Sequence, residues 1–494
     1  MFKDSWQFLQ GSLDTLVRNL ANSYTSGKDK LNAFPFLADW LGSHLDHLDP
    51  EGSVLKDILS NLLKKGVYPY TWAKTYEDLE SCNELPPIEA FTSELRGPIS
   101  PGEYKRAQWF WRWSECQSML DFTLRYNELD VIGMASVMQA FRTPASRPYP
   151  EGYGLDPVHF PTLPSYSWHA LMYMNMRKGV KVETIPDTDD GMGALMFGMA
   201  ESGIRGGICQ VLHPFAHANP MPEEEVHAMA PDPLDPLSGE TTIEYDDENN
   251  LYGAALSEPM PLDDFRVVKK SKDHAISMAE WDRRYQTLAK DFGCSSAPEG
   301  SVLGLDHNQL VLLERDLWWL NPDMDQLNAW VAKELGDEDP YAYLVDVDVI
   351  IPKELHDYLA DYPPFPENKL PPDPSPHTCS EYEKQDELAT AFRCRKLILD
   401  LNDKKGYVIH SRLLQFYVQL GCRISAVNRV VSFRQSRWIA DYISYNTEKR
   451  KKAANDIDSN TYKFMSNATF GKVRGSLGLI DFLVCPDRRQ IPQG

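Results

Sequence analysis

Tyr245–Gly253 reads YDDENNLYG, and Lys463–Gly471 reads KFMSNATFG. In the first, a strand-like run, TTIEYDDENNLYGAAL (241–256), delivers acidic side chains to its end and then turns past an aromatic. Nucleotidyl transfer needs carboxylates so placed, because two divalent cations about 3.5–4 Å apart must be held beside the phosphate. Taken alone, the stretch reads more simply as an Asp/Asn/Gly turn with a packed tyrosine. In the second, Lys463 and Asn467 are four residues apart and share a helix face, which Phe470 and Gly471 continue. A lysine there can grip a triphosphate as a point charge, and an aromatic followed by glycine can lie under a base pair. Taken alone, this too reads more simply as a surface helix with one buried phenylalanine.

Working outward, NDIDSN (455–460) is a breaker cluster, and Ser459 or Asn460 is a suitable N-cap for the helix TYKFMSNATFGK. Before it lies the basic run Lys449, Arg450, Lys451, Lys452. On one unbroken helix Lys452 would lie about 17 Å from Lys463, but a helical hairpin can fold the run back beside it. KRKK also reads as a nuclear-localisation signal. Upstream, IRGG (204–207) sets two glycines after an arginine, which permits close approach to a phosphodiester.

The chain has 494 residues and a net charge of −22, yet residues 401–480 carry +9. Residues 221–264 hold 13 acids and no Lys or Arg. The basic segment is therefore a local anion-binding surface or a solvated helix face. Composition is that of a globular chain, which excludes disorder throughout. No apolar run approaches the length of a membrane span, and the N-terminus lacks the form of a signal peptide. The eight scattered cysteines form no CxxC pair, which argues against a zinc module or disulfide scaffold and for an intracellular setting.

Residues 1–142 read as mostly helical, with LDTLVRNL, VLKDILSNLLKKG and LDVIGMASVMQAFR at helical spacing and WFWRW (109–113) as core. Residues 143–168 read as an ordered connector. A helix and then a short strand around GIRGGICQVL are expected over 169–212, and an exposed loop over 213–242. YAYLVDVDVIIP (341–352) reads as a strand, and the seven prolines of 362–377 as a loop. From 407 the order expected is strand, helix, strand, two helices.

In this order the motifs resemble the family B DNA polymerases of the protein-primed type, above all those of Polinton/Maverick transposons and related viruses. DENNLYG resembles the palm motif Asp-x-x-Ser-Leu-Tyr-Pro, written D-x-N-N-L-Y-G in Polinton-type members. KFMSNATFGK resembles the fingers motif Lys-x-x-x-Asn-Ser-x-Tyr-Gly. YGLDPVHFPTLPSYSW and GIRGGI look like the segment joining exonuclease to polymerase, and KKGVYPYTW and LRYNELDV like the latter part of the exonuclease domain.

The resemblance implies an α+β (mixed) fold of right-hand architecture with a partial N-terminal 3'-5' exonuclease domain. It gives exonuclease remainder over 1–142, connector over 143–199, first palm part over 200–265 and insertion over 266–406. Fingers follow over 407–475, and 476–494 begins the returning palm. It implies that Asp247 holds metal, Leu251 packs, and Tyr252 carries the incoming sugar. Lys463, Asn467, Phe470, Gly471 and Lys451 would bind nucleotide. Arg205, Gly206, Gly207, Lys449, Arg450 and Lys452 would contact DNA. Tyr126 and Asp130 match the third exonuclease motif, the aspartate as metal ligand.

The implied cofactor is Mg2+ at a two-metal site, with dNTP substrate, a DNA template-primer and a terminal protein as partners, and no membrane. The setting is intracellular, and nuclear if a host-encoded element is the source. The first two exonuclease motifs and the Asp-Thr-Asp of the palm are not found. Asp346-Val347-Asp348 lies before the fingers and reads as an ordinary strand of the insertion. The expectation is a chain truncated at both ends and weak as a catalyst alone. The alternatives are a catalytically dead nucleic-acid-binding relic and an incomplete gene reading.

Overall fold

The computed structural model describes residues 4–42, 53–72, 74–92, 97–186, 191–206, 249–268, 307–336, 339–371, 394–453 and 456–476. In chain order the first helices are α1 (Leu13–Asn22), α2 (Gly27–Ala33), α3 (Pro35–Leu41), α4 (Ser53–Leu62) and α5 (Tyr76–Ser81). Then come α6 (Pro101–Trp113), α7 (Met119–Ser146), α8 (Leu163–Arg177), α9 (Met192–Ser202) and α10 (Leu251–Leu256). β1 (Met260–Val268), α11 (His307–Trp319), α12 (Met324–Glu334), β2 (Tyr341–Ile350), α13 (His356–Leu359), β3 (Glu367–Lys369) and β4 (Lys396–Ile398) follow. The last are β5 (Lys404–His410), α14 (Ser411–Gln419), β6 (Arg423–Ser436), α15 (Ala440–Lys451) and α16 (Asp456–Ser476). The fold is mixed helix and sheet, as the α+β expectation required.

The chain forms two units, 1–180 with 439–473 and 181–438 with 474–494. These boundaries cut across the sequence-based segments. The stretch read as an insertion supplies β2, and the stretch read as fingers is divided between the units.

The first unit is helical. α1 starts because Ser12 Oγ accepts the Thr15 N–H, and it buries Leu16, Val17, Leu20 and Ala21 as one stripe. Each of these leucines and the valine is worth about 1.5–3 kcal/mol on burial. Capping boxes at Ser100/Glu103 and Ser118/Asp121 start α6 and α7. α7, 28 residues long, is the spine against which α1, α3 and α5 pack. The aromatic run of α6 is split rather than wholly core. Phe110 and Trp111 pack on Met119 and Phe122, while Trp109 and Trp113 stack half-buried at 5.5 Å. The connector is ordered, with Tyr153 fully buried. α8 buries residues all round, the pattern of an interior helix.

The second unit is built on a four-stranded antiparallel sheet in the order β1-β6-β2-β5. Tyr343, Val345, Val347 and Val349 of β2 face a core with Trp319, Trp330, Leu327, Val331, Leu414 and Val418. On the opposite face Ala342, Val408, Val431 and Phe433 pack with Met196 and Met199 of α9. β2 is buried on both faces, its valines alternating with Asp346 and Asp348.

Some expectations are corrected. Leu251–Leu256 is helix, not strand: Asn250 takes φ of 62°, and the small residues Gly253-Ala254-Ala255 then continue as helix. α16 begins at Asp456, so Ser459 and Asn460 lie inside it and cap nothing at its start. Acidic Asp456 and Asp458 suit a first turn, where the helix dipole is positive. The Pro-rich 362–377 contains β3, paired with β4. The buried Lys404 ammonium holds β3 by donating to Glu367 Oε2 at 3.1 Å and to Asp400 Oδ1 at 2.6 Å. The strand expected around 204–212 is absent over 204–206, which carry neither helix nor strand. The rest of it, and the acidic loop 213–242, lie outside the described residues.

Candidate nucleic-acid interface

The hairpin α15–α16 belongs to the first unit as far as Val473. Its seam is polar and buried. Asn446 Nδ2 donates to Ser466 Oγ at 3.2 Å, while Tyr153 donates to Asn446 Oδ1 at 2.6 Å. Ser167 of α8 bonds Tyr442 at 2.9 Å, donates to the Met465 carbonyl at 2.7 Å, and touches Thr469. Both helices are thereby fixed on α8 in antiparallel register. Lys449 lies three residues past Asn446 and Lys463 three before Ser466, so the basic last turn of α15 runs beside the turn carrying Lys463. Sequence reasoning missed these positioning residues. Their signal was hydroxyls within an otherwise apolar helix, SYSWHALMYM.

α16 buries Met465, Ser466 and Thr469, which turns Lys463, Asn467, Phe470 and Gly471 to its other side. Lys463 and Gly471 are exposed, and Asn467 and Phe470 half-buried. A Cβ added at Gly471 would meet nothing within 4 Å. Arg450, Lys451 and Lys452 are exposed, at the helix end where the dipole favours cations. Lys452 pairs with Glu448 at 3.4 Å, and Lys449 Nζ donates to the Glu151 carbonyl at 3.0 Å.

In the second unit Asp247 and Gly207 lie outside the described residues. Tyr252 is on α10 and 49% exposed; Leu251, expected to pack, is 59% exposed. Arg205 is turned inward. Its Nη1 donates to Val408 O at 2.8 Å and Gly203 O at 3.1 Å, and its guanidinium lies 3.8 Å from the Tyr407 ring centre. Burial lowers its pKa. Because β5 is a sheet edge, Arg205 satisfies an edge carbonyl, and it would have to swing out to reach a phosphodiester. Gly206 is open, with nothing within 4 Å of an added Cβ.

Asp346 and Asp348 tie strands together. Arg429 Nε donates to Asp346 Oδ2 at 2.7 Å, and Asn428 Nδ2 donates to Asp346 Oδ1 at 3.2 Å and Asp348 Oδ1 at 3.0 Å. The Gly406 N–H donates to Asp348 at 2.8 Å. Asn428 reaches both carboxylates because it is the extra residue of a bulge in β6.

Tyr126 and Asp130 line a pocket of the first unit together with Lys65, Arg106, Val17, Phe34 and Leu62. The Tyr126 and Tyr70 hydroxyls bond at 2.8 Å, and Arg106 donates to the Lys65 carbonyl at 2.7 Å. Burial raises the Asp130 pKa against the opposing pull of Lys65 and the Tyr126 hydrogen bond. Burial likewise raises the Tyr126 phenol, reinforced by Tyr70 and by the Asp130 charge. Asp130 is the only acid among the described residues lining this pocket. One carboxylate beside a lysine does not fit a two-metal site, which needs several oxygen ligands per ion. Among the described residues no three His, Cys, Asp or Glu come together as a metal site. No helix among them is long and apolar enough to cross a membrane.

No protein-family model matches the chain, and neither a curated protein nor a solved structure shows significant similarity to it.

Proposed function

We propose that this chain binds a DNA template-primer through the α15–α16 hairpin, and that it is a DNA-directed DNA polymerase of the protein-primed family B type. The observation that carries the reading is one exposed helix face bearing Lys463, Asn467, Phe470 and Gly471 beside the basic end of α15. Among the described residues nothing would meet a Cβ at Gly471, which suits the approach of a flat ligand. In this reading Lys463 holds the triphosphate of a dNTP, Lys451 and Asn467 assist it, and Phe470 lies under the base pair. The reaction is attack of a primer 3'-hydroxyl, first that of a terminal protein, on the α-phosphate with pyrophosphate leaving. By the resemblance, Asp247 would hold metal and Tyr252 would carry the incoming sugar.

The alternative, a nucleic-acid-binding relic without catalysis, is favoured by the carboxylates themselves. Asp346 and Asp348 serve as strand ties, and Asp130 stands alone in its pocket.

The test is fluorescence anisotropy with a labelled primer-template across a salt series. The expected result is binding whose logarithm falls linearly with log salt. Replacing Lys449, Arg450, Lys451 and Lys452 by Ala should flatten that slope. Lys463→Ala should weaken dNTP binding about tenfold, as expected for removing one charge-assisted hydrogen bond. Absence of DNA binding at low salt sinks both readings. Templated, Asp247-dependent nucleotide addition selects the polymerase over the relic.

A further inference from the structure

The chain carries 22 more negative than positive charges, and several cations near the hairpin are paired with carboxylates. Arg142 clamps Asp156 at 2.5 Å, Lys178 pairs with Asp441, and Lys452 pairs with Glu448. Three cations of the first unit differ. Among the described residues Arg147, Arg177 and Lys449 have no carboxylate partner, and Arg177 and Lys449 lie against tyrosine rings. The Arg177 guanidinium sits 5.8 Å from the ring centres of both Tyr149 and Tyr173. Tyr149 in turn packs on Tyr445 at 5.6 Å, and Lys449 Nζ lies 5.4 Å from the Tyr445 ring centre. Arg147, two residues before Tyr149, ends α7 near Tyr462, whose phenol burial pushes up against the opposing charge of Arg147. Arg147 and Arg177 are exposed, and Tyr149, Tyr173 and Tyr445 are half-buried.

A cation held over an aromatic face is oriented without losing its charge. Its attraction for an anion is therefore undiminished, whereas a carboxylate partner would have cancelled it. The connector, the end of α8 and the end of α15 thus present cations and rings joined by one ring-to-ring contact and three cation-to-ring contacts.

We propose that Arg147, Tyr149, Tyr173, Arg177, Tyr445 and Lys449 form a track for single-stranded nucleic acid, the cations taking phosphates and the ring edges meeting sugars and bases. A duplex would offer the cations its phosphates but leave the rings without partners; a single strand engages both. The track rests on the nucleic-acid reading above and extends it from the hairpin to the connector. Nothing in the sequence motifs pointed to Arg147 or Arg177.

The experiment compares oligo-dT with a duplex of equal length by anisotropy, at several salt concentrations, on the full chain. Arg147→Gln with Arg177→Gln should lower the single-strand salt slope by about two, one for each phosphate no longer neutralised, and change the duplex slope less. Both side chains are exposed, so thermal unfolding should be unchanged. Should the double variant misfold, Arg147→Gln alone is the second arm, with an expected drop of about one. Arg177→Lys as a single change, which keeps the charge, should leave most of the slope in place. An unchanged single-strand slope in a folded variant overturns the track; if duplex binding still responds to the lysine run, the function above stands. Equal losses for duplex and single strand also overturn it. If the unmodified chain binds neither, both proposals fall.

Discussion

His410 shows how one side chain reports on its surroundings. Its Nδ1 accepts the Arg412 N–H at 3.2 Å and so caps α14. Its ring packs 5.8 Å from Phe433. Burial, with Arg412 nearby, pushes its pKa down to about 4. The fold therefore favours the neutral imidazole, which alone offers Nδ1 as an acceptor. That contribution is present above the ordinary histidine value near 6.5 and is lost as pH falls from there toward 4. Because one edge of His410 remains accessible, the effect should amount to about 1–2 kcal/mol rather than the full linkage value. His410→Asn keeps a capping acceptor and removes the titration. Urea midpoints between pH 7 and pH 5 should then fall less in the variant than in the parent. Equal slopes would show that His410 is not the group responsible.

At the scale of elements, the hairpin is held by hydrogen bonds rather than by apolar ridges alone. Asn446 serves two partners, Tyr153 and Ser466, in a place closed to water. Asn446→Ala strands both, and each unsatisfied buried group costs about 1–3 kcal/mol. Chemical denaturation should show a loss of roughly 2–4 kcal/mol. Adding Tyr153→Phe, which removes one of the stranded groups, should cost less than the sum of the single changes. Additive losses would mean that Tyr153 and Asn446 are not coupled. The same economy appears in β6, where the bulge at Asn428 lets one amide serve Asp346 and Asp348.

At the scale of the molecule, the first unit is assembled from two distant parts of the chain. Residues 1–180 alone would leave Tyr153, Tyr166 and Ser167 without the cover of α15 and α16, although all are buried in the full chain. A fragment of residues 1–180 should therefore be aggregation-prone and rapidly proteolysed, and supplying 439–476 in trans should protect it. A stable, protease-resistant fragment 1–180 would contradict the discontinuous unit. The division also bears on charge. The positive hairpin belongs to the first unit, and the strongly acidic stretch 221–264 falls in the second.

Local pattern determined the helices of residues 1–142, the strand at 341–350, and the strand-helix-strand-helix-helix order from 407, because period and caps are local properties. It also placed Lys463, Asn467 and Gly471 on one helix face, since four-residue spacing alone fixes that. It misjudged Leu251–Leu256, read as the end of a strand-like stretch, where a left-handed Asn250 sets a helix going. Only the tertiary structure turned Arg205 inward, because the open carbonyl at Val408 belongs to a strand some two hundred residues away. The same holds for Ser167, whose partners Tyr442, Met465 and Thr469 are remote in sequence. Only the fold set Arg177 over two tyrosine rings and brought Lys449 to a third. Pairing between distant residues depends on which faces the chain buries together, and no local period encodes that.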